Sequence, residues 1–178
     1  ESLIEGLRAG RLDVILIALP FEIGDLETEA LFEDGYALAT PRGHPLGARP
    51  HVAGRDLADK ALLLLERGHC LQRHALAAFP EIDARRDESF AATSLSTLLA
   101  MVAEGLGLTL LPELALDAGA ARGHALALAP LPDACPRRVV LAWRPTSPRT
   151  AEFRALADSF RAARADLAAE GRARRQEN

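Results

Sequence analysis

Apolar residues recur along this chain in short blocks whose spacing switches between that of buried strands and that of helices. Leu3, Ile4 and Leu7 stand at helical spacing, and Gly10 stops that first helix. Residues 12–20 then run through Val14, Ile15, Leu16 and Ile17 with almost no polar break, the pattern of a strand buried on both faces, which predicts a parallel sheet covered by helices. Residues 26–32 and 36–40 are shorter extended candidates separated by Glu33, Asp34 and Gly35, and the turn residues 41–45 close the second.

Residues 56–59 read as a single helical turn, and residues 61–65 as another buried strand. Leu71, Ala75, Leu76 and Phe79 mark a helix that Pro80 ends, so Cys70 falls at a helix start. A strand over 88–92 leads into Thr93 and Ser94, either of which can cap a helix carrying Leu95, Leu98, Leu99 and Val102, with Gly105 past its end. A strand over 108–111, a short helix from Pro112, strands over 125–131 and 138–143, and a long amphipathic helix through Phe153, Leu156, Phe160 and Leu167 complete the pattern. Residues 171–178 lack apolar anchors and are expected to form a disordered tail. Alternating strands and helices predict an α/β architecture.

Composition narrows the function classes. The 178 residues are 49% hydrophobic and 26% charged, which is globular usage, and the aromatic share of 4% leaves Ala and Leu to fill the core. A net charge of -4 argues that this stretch does not itself hold DNA, because phosphate binding needs a concentrated basic surface. Two cysteines, Cys70 and Cys135, are too few for a secreted disulfide scaffold and favour a reducing cytoplasm. No apolar run approaches the length of a membrane span, so no membrane partner is expected.

Cys70 is the residue with the clearest chemistry. Unpaired backbone N–H groups at a helix N-terminus favour a thiolate, the nucleophilic form of the side chain, and His69 is its neighbour. Position alone equally fits an inert, buried cysteine. His44, His51, His74 and His124 show no metal-ligand spacing, so no metal or cofactor is expected; surface or turn roles fit them, and a solvated place fits His74 although it shares a helical face with Cys70. Gly105-Leu106-Gly107 follows a helix and is too short for a dinucleotide fingerprint.

Three segments resemble the effector domain of LysR-type transcriptional regulators. They are Leu7-Arg8-Ala9-Gly10-Arg11-Leu12-Asp13-Val14; Thr93-Ser94-Leu95 continuing through Met101-Val102-Ala103-Glu104-Gly105-Leu106-Gly107-Leu108 to Leu111-Pro112; and Leu65-Glu66-Arg67-Gly68-His69-Cys70-Leu71. The last is similar to the segment that carries the peroxide-reactive cysteine in the OxyR subgroup, and Arg137-Arg138 with Trp143-Arg144-Pro145 also fits it.

The resemblance implies a two-lobed fold like type II periplasmic binding proteins, with lobe I over 1–33 and 139–170 and lobe II over 36–134. The family's first strand and helix, and its DNA-binding winged helix-turn-helix domain, are expected to lie outside this chain. Function follows as an expectation: a non-enzymatic regulatory domain sensing hydrogen peroxide through Cys70, with His69 and Arg138 at the reaction, in a homodimer or homotetramer. The alternative is a small carboxylate effector bound between the lobes, with Thr93, Ser94 and Arg137 as contacts. The subgroup's resolving cysteine corresponds to Phe79, which cannot form a disulfide. Cys135, the only other thiol, reads first as a partly exposed loop thiol and could pair with Cys70 only if their Cα atoms come within about 7 Å. The other routes are a persistent sulfenic acid, a mixed disulfide with a small thiol or a bridge between chains. A switch is expected over residues 67–86, bounded by Gly68 and Pro80.

Overall fold

The computed structural model describes residues 2–66, 70–79 and 86–176. They fall into two compact units, the first made of Glu1–Asp34 and Arg137–Glu170, the second of Gly35–Pro136 and Gly171–Asn178.

The first unit is built on a three-stranded sheet in the order β1 (Val14–Leu19), β8 (Arg137–Trp143), β2 (Glu27–Asp34). Both pairings are antiparallel. The parallel sheet expected from residues 12–20 is therefore not what forms, and Leu16 stays 43% exposed instead of buried on both faces. An unbroken apolar run reports affinity for a core but carries no information about strand direction, and β1 lies at the sheet's end while β8 takes the centre. β2 also runs straight through Glu33 and Asp34, which had read as a break. Those two residues register opposite Arg138 and Arg137, so opposite charges meet across the ladder. Helix α1 (Ser2–Arg8) buries Leu7 against Ile15, Leu26 and Ala142, and α5 (Thr150–Gln176) buries Phe153 and Ala157 against Leu31, Val139, Leu141 and Trp143.

In the second unit β3 (Tyr36–Pro41) is the central strand of an antiparallel sheet with β6 (Thr109–Pro112) and β7 (Leu126–Pro130). β4 (Leu62–Leu65) and β5 (Arg86–Ala92) form the one parallel ladder among the described residues, and a single parallel bridge from Leu62 to Leu108 links β4 to the end of β6. Helices α2 (Cys70–Ala77), α3 (Leu95–Ala103) and α4 (Glu113–Asp117) complete it. The expected single turn forms as a 3₁₀ turn over Gly54–Leu57.

The C-terminal residues up to Gln176 continue α5 instead of fraying. Their anchor is polar, which an apolar pattern cannot reveal. Arg175 lies 2.7 Å from the carboxylate of the buried Asp117, Arg174 donates to the Asp117 carbonyl at 2.6 Å, and Gly171 packs so closely that a Cβ there would lie 2.4 Å from Asp117 Oδ1.

Candidate functional site

Helix α2 is described over Cys70–Ala77, and the residues immediately before Cys70, on which the expected helix start depends, lie outside the described residues. His69, Gly68 and most of the expected switch segment lie outside the described residues. The inward face of the helix is set by small residues. Ala75 and Ala78 are buried in the same cluster as Leu62, Leu64, Leu131 and Ala134, with Phe79 packed against it. His74 is 1% exposed, which corrects the solvated position expected for it. One turn beyond Cys70 on the same face, it is drawn inward with Ala75 and Ala78 because the helix lies directly on the core.

Beside α2 lies a void with room for about one water, lined by Leu64, Leu65, Gln72, Ala75, Leu98, Thr109 and Leu110. Thr109 turns its hydroxyl to the Leu63 carbonyl at 2.8 Å, so the void's few polar groups are already engaged in part. An organic carboxylate does not fit there.

Cys135 is exposed, as a loop thiol should be, yet its backbone is firmly placed. Its N–H donates to the Ala78 carbonyl at 2.8 Å, and the preceding turn is closed by the Ala134 N–H on the Leu131 carbonyl. The proline-rich return segment thus runs past the C-terminal end of the helix that Cys70 begins.

Thr93 and Ser94 are exposed at the start of α3. The Ser94 hydroxyl accepts the Thr97 N–H at 3.1 Å and lies 2.9 Å from the Thr97 hydroxyl, a capping arrangement. His44 likewise caps a 3₁₀ turn, with Nδ1 accepting the Leu46 N–H at 3.2 Å.

Arg137 and Arg138 belong to the first unit. Arg137 places Nε and a terminal nitrogen 2.9 and 2.8 Å from Asp34 Oδ2, and Asp34 is wholly buried. Arg138 pairs with Glu33 at 2.8 Å with both side chains largely exposed. Asp34, Glu33 and Asp117 were not singled out from the sequence; the available signal was two adjacent acids matched by two adjacent arginines more than a hundred residues later. Among the described residues no group of His, Cys, Asp and Glu is placed to hold a metal ion, and no helix is long and apolar enough to cross a membrane.

The family model for the LysR substrate binding domain matches residues 1–165. A relative from Streptomyces viridosporus, described as a probable hydrogen peroxide-inducible genes activator, is 39% identical over 168 residues, or 93% of this chain and 54% of the relative. A variant of the OxyR2 regulatory domain from Vibrio vulnificus matches with a TM-score of 0.80 at 36% identity, covering 91% of this chain and 78% of that one. A hydrogen peroxide-bound variant of OxyR from Corynebacterium glutamicum matches with a TM-score of 0.86 at 30% identity, covering 97% and 55%. The chain spans about half the length of the curated relatives it matches.

Proposed function

The chain belongs to the LysR substrate binding domain family and, within it, to the OxyR group, and from that premise we propose that it senses hydrogen peroxide by oxidation of Cys70. Its fold is the periplasmic-binding-protein-like one of that group. The observation that carries the reading is that Cys70 lies in the first described turn of α2, in a chain similar to proteins described as hydrogen peroxide-inducible genes activators. The first-turn N–H groups of a helix lack partners within it and stabilise negative charge, which is what a peroxide-cleaving sulfur must hold. The thiolate attacks one peroxide oxygen, the O–O bond breaks, and Cys70 becomes a sulfenic acid while hydroxide leaves. His69 and Arg138 assist by holding the peroxide and its developing charge. The event is a single oxidation rather than a turnover cycle. In the full-length protein it alters the packing of homo-oligomeric subunits on DNA, which a separate domain contacts in the cytoplasm.

The test is the rate of thiol loss on adding stoichiometric hydrogen peroxide to the chain, to Cys70→Ser and to Cys135→Ser. Cys70→Ser is expected to abolish the fast phase, and Cys135→Ser to keep it. A Cys70 that reacts no faster than free cysteine sinks the proposal. Calorimetric binding of a small carboxylate that survives Cys70→Ser would favour the metabolite-responsive alternative.

A further inference from the structure

Cys70 and Cys135 are the only two sulfhydryls in the chain, and they attach to opposite ends of one helix. Cys70 is the first described residue of α2, and the backbone N–H of Cys135 donates at 2.8 Å to the carbonyl of Ala78, one residue beyond the helix's last. A second observation holds them there: Ala134, next to Cys135, is buried in the same cluster as Ala75 and Ala78. We infer that Cys135 is the thiol that resolves oxidised Cys70, by forming an intramolecular disulfide that α2 must unwind to accommodate. The inference rests on the reading of Cys70 as the peroxide-reactive thiol.

The chemistry balances with the peroxide as sole oxidant. Cys70, oxidised to the sulfenic acid in the first step, is attacked by the Cys135 sulfur; the S–S bond forms, the S–O bond breaks, and the hydroxyl leaves with the Cys135 proton as water. Two thiols and one peroxide become one disulfide and two waters.

The geometry makes this a conformational event. At 1.5 Å per residue, roughly 10 Å of helix axis separates Cys70 from the last residue of α2. A disulfide requires Cα atoms within about 7 Å. Cys135 is held by the Leu131–Ala134 turn and by buried Leu131 and Ala134, so Cys70 is the partner that travels. Chain released from a helix gains reach, since extended backbone spans about 3.3 Å per residue against 1.5. Exposed Cys135 needs no opening of its own.

Intact-mass measurement and non-reducing peptide mapping after stoichiometric hydrogen peroxide test the inference on the whole chain. The expected wild-type result is loss of two hydrogens per chain, a cross-linked peptide pair containing residues 70 and 135, and faster hydrogen exchange over Cys70–Ala77. Cys135→Ser should instead gain one oxygen, trappable as a sulfenic acid, without the exchange change. Adding Phe79→Cys to Cys135→Ser returns a thiol to the same end of α2 and should restore the loss of two hydrogens. A wild-type chain that stays a sulfenic acid, a disulfide found only between chains, or a Cys135→Ser variant oxidised identically to wild type would overturn it. Oxidation of Cys70 without a bridge refutes this inference alone; an inert Cys70 refutes its premise as well.

Discussion

In the first unit, arginines reach across long stretches of sequence: Arg137 to buried Asp34, Arg161 to Glu29 and the Ala30 carbonyl, Arg144 to the carbonyls of Leu7 and Leu12. In the second, α2 rests on the core through Ala75, Ala78 and His74, and its C-terminal end is tied to the return segment by one backbone hydrogen bond. Alanine side chains bury little area, and apolar burial contributes only about 25 cal/mol per Å². A frame stitched by charges and a central strand buried from Val139 to Trp143 thus accompanies a helix whose described buried contacts run through Ala75, Ala78 and His74. A helix that is cheap to unwind is what a switch requires, and the regions that move are drawn from the low-stability end of a structure.

Arg137→Ala leaves the carboxylate of Asp34, 0% exposed, without its guanidinium partner. Breaking a buried pair from one side is expected to cost about 3 kcal/mol, because a buried charge loses its compensation. Denaturant unfolding monitored at Trp143, itself buried in the same unit, reads the effect. A loss below about 1 kcal/mol, the range of surface pairs, would show that the first unit does not depend on this contact.

A milder change bears on the helix. Ala78 is fully buried, so Ala78→Leu overpacks the bed of α2 at an expected cost of about 1–3 kcal/mol. If α2 opens by itself, hydrogen exchange should accelerate over Cys70–Ala77 while the amides of Arg137–Trp143 keep their protection. Equal acceleration in both would mean that α2 is not a separable element.

The elements themselves were largely readable along the chain. Ser94 as the cap of α3 and Pro112 ahead of α4 follow from local rules of spacing and capping, and local rules are what a sequence displays. The misreadings have a common physical origin in distant partners. β1 pairs antiparallel with a strand more than a hundred residues away, and nothing in Val14 to Leu19 encodes that direction. Glu33 and Asp34 read as turn residues until Arg138 and Arg137 stand opposite them. His74 and Cys70 are one helical turn apart, as the spacing said, but only the core beneath decides that His74 is buried. The contact between Cys135 and Ala78 runs through backbone atoms, to which every residue type contributes alike.

Arg138 sits in the frame, 61% exposed, 2.8 Å from a Glu33 that is 49% exposed. As a surface ion pair it should contribute at most about 1 kcal/mol, so Arg138→Ala is expected to leave the unfolding midpoint almost unchanged. Under the proposed function the same change removes a positive charge from the peroxide reaction and should slow Cys70 oxidation roughly tenfold, equivalent to about 1.4 kcal/mol of transition-state stabilisation. Arg138→Lys, which keeps the charge but not the guanidinium fork, should recover part of the rate. Glu33→Gln, which releases Arg138 from its partner, should not slow the reaction at all. Unchanged oxidation in Arg138→Ala would confine the chemistry to the second unit and leave Arg138 as one more stitch, at the frame's exposed edge.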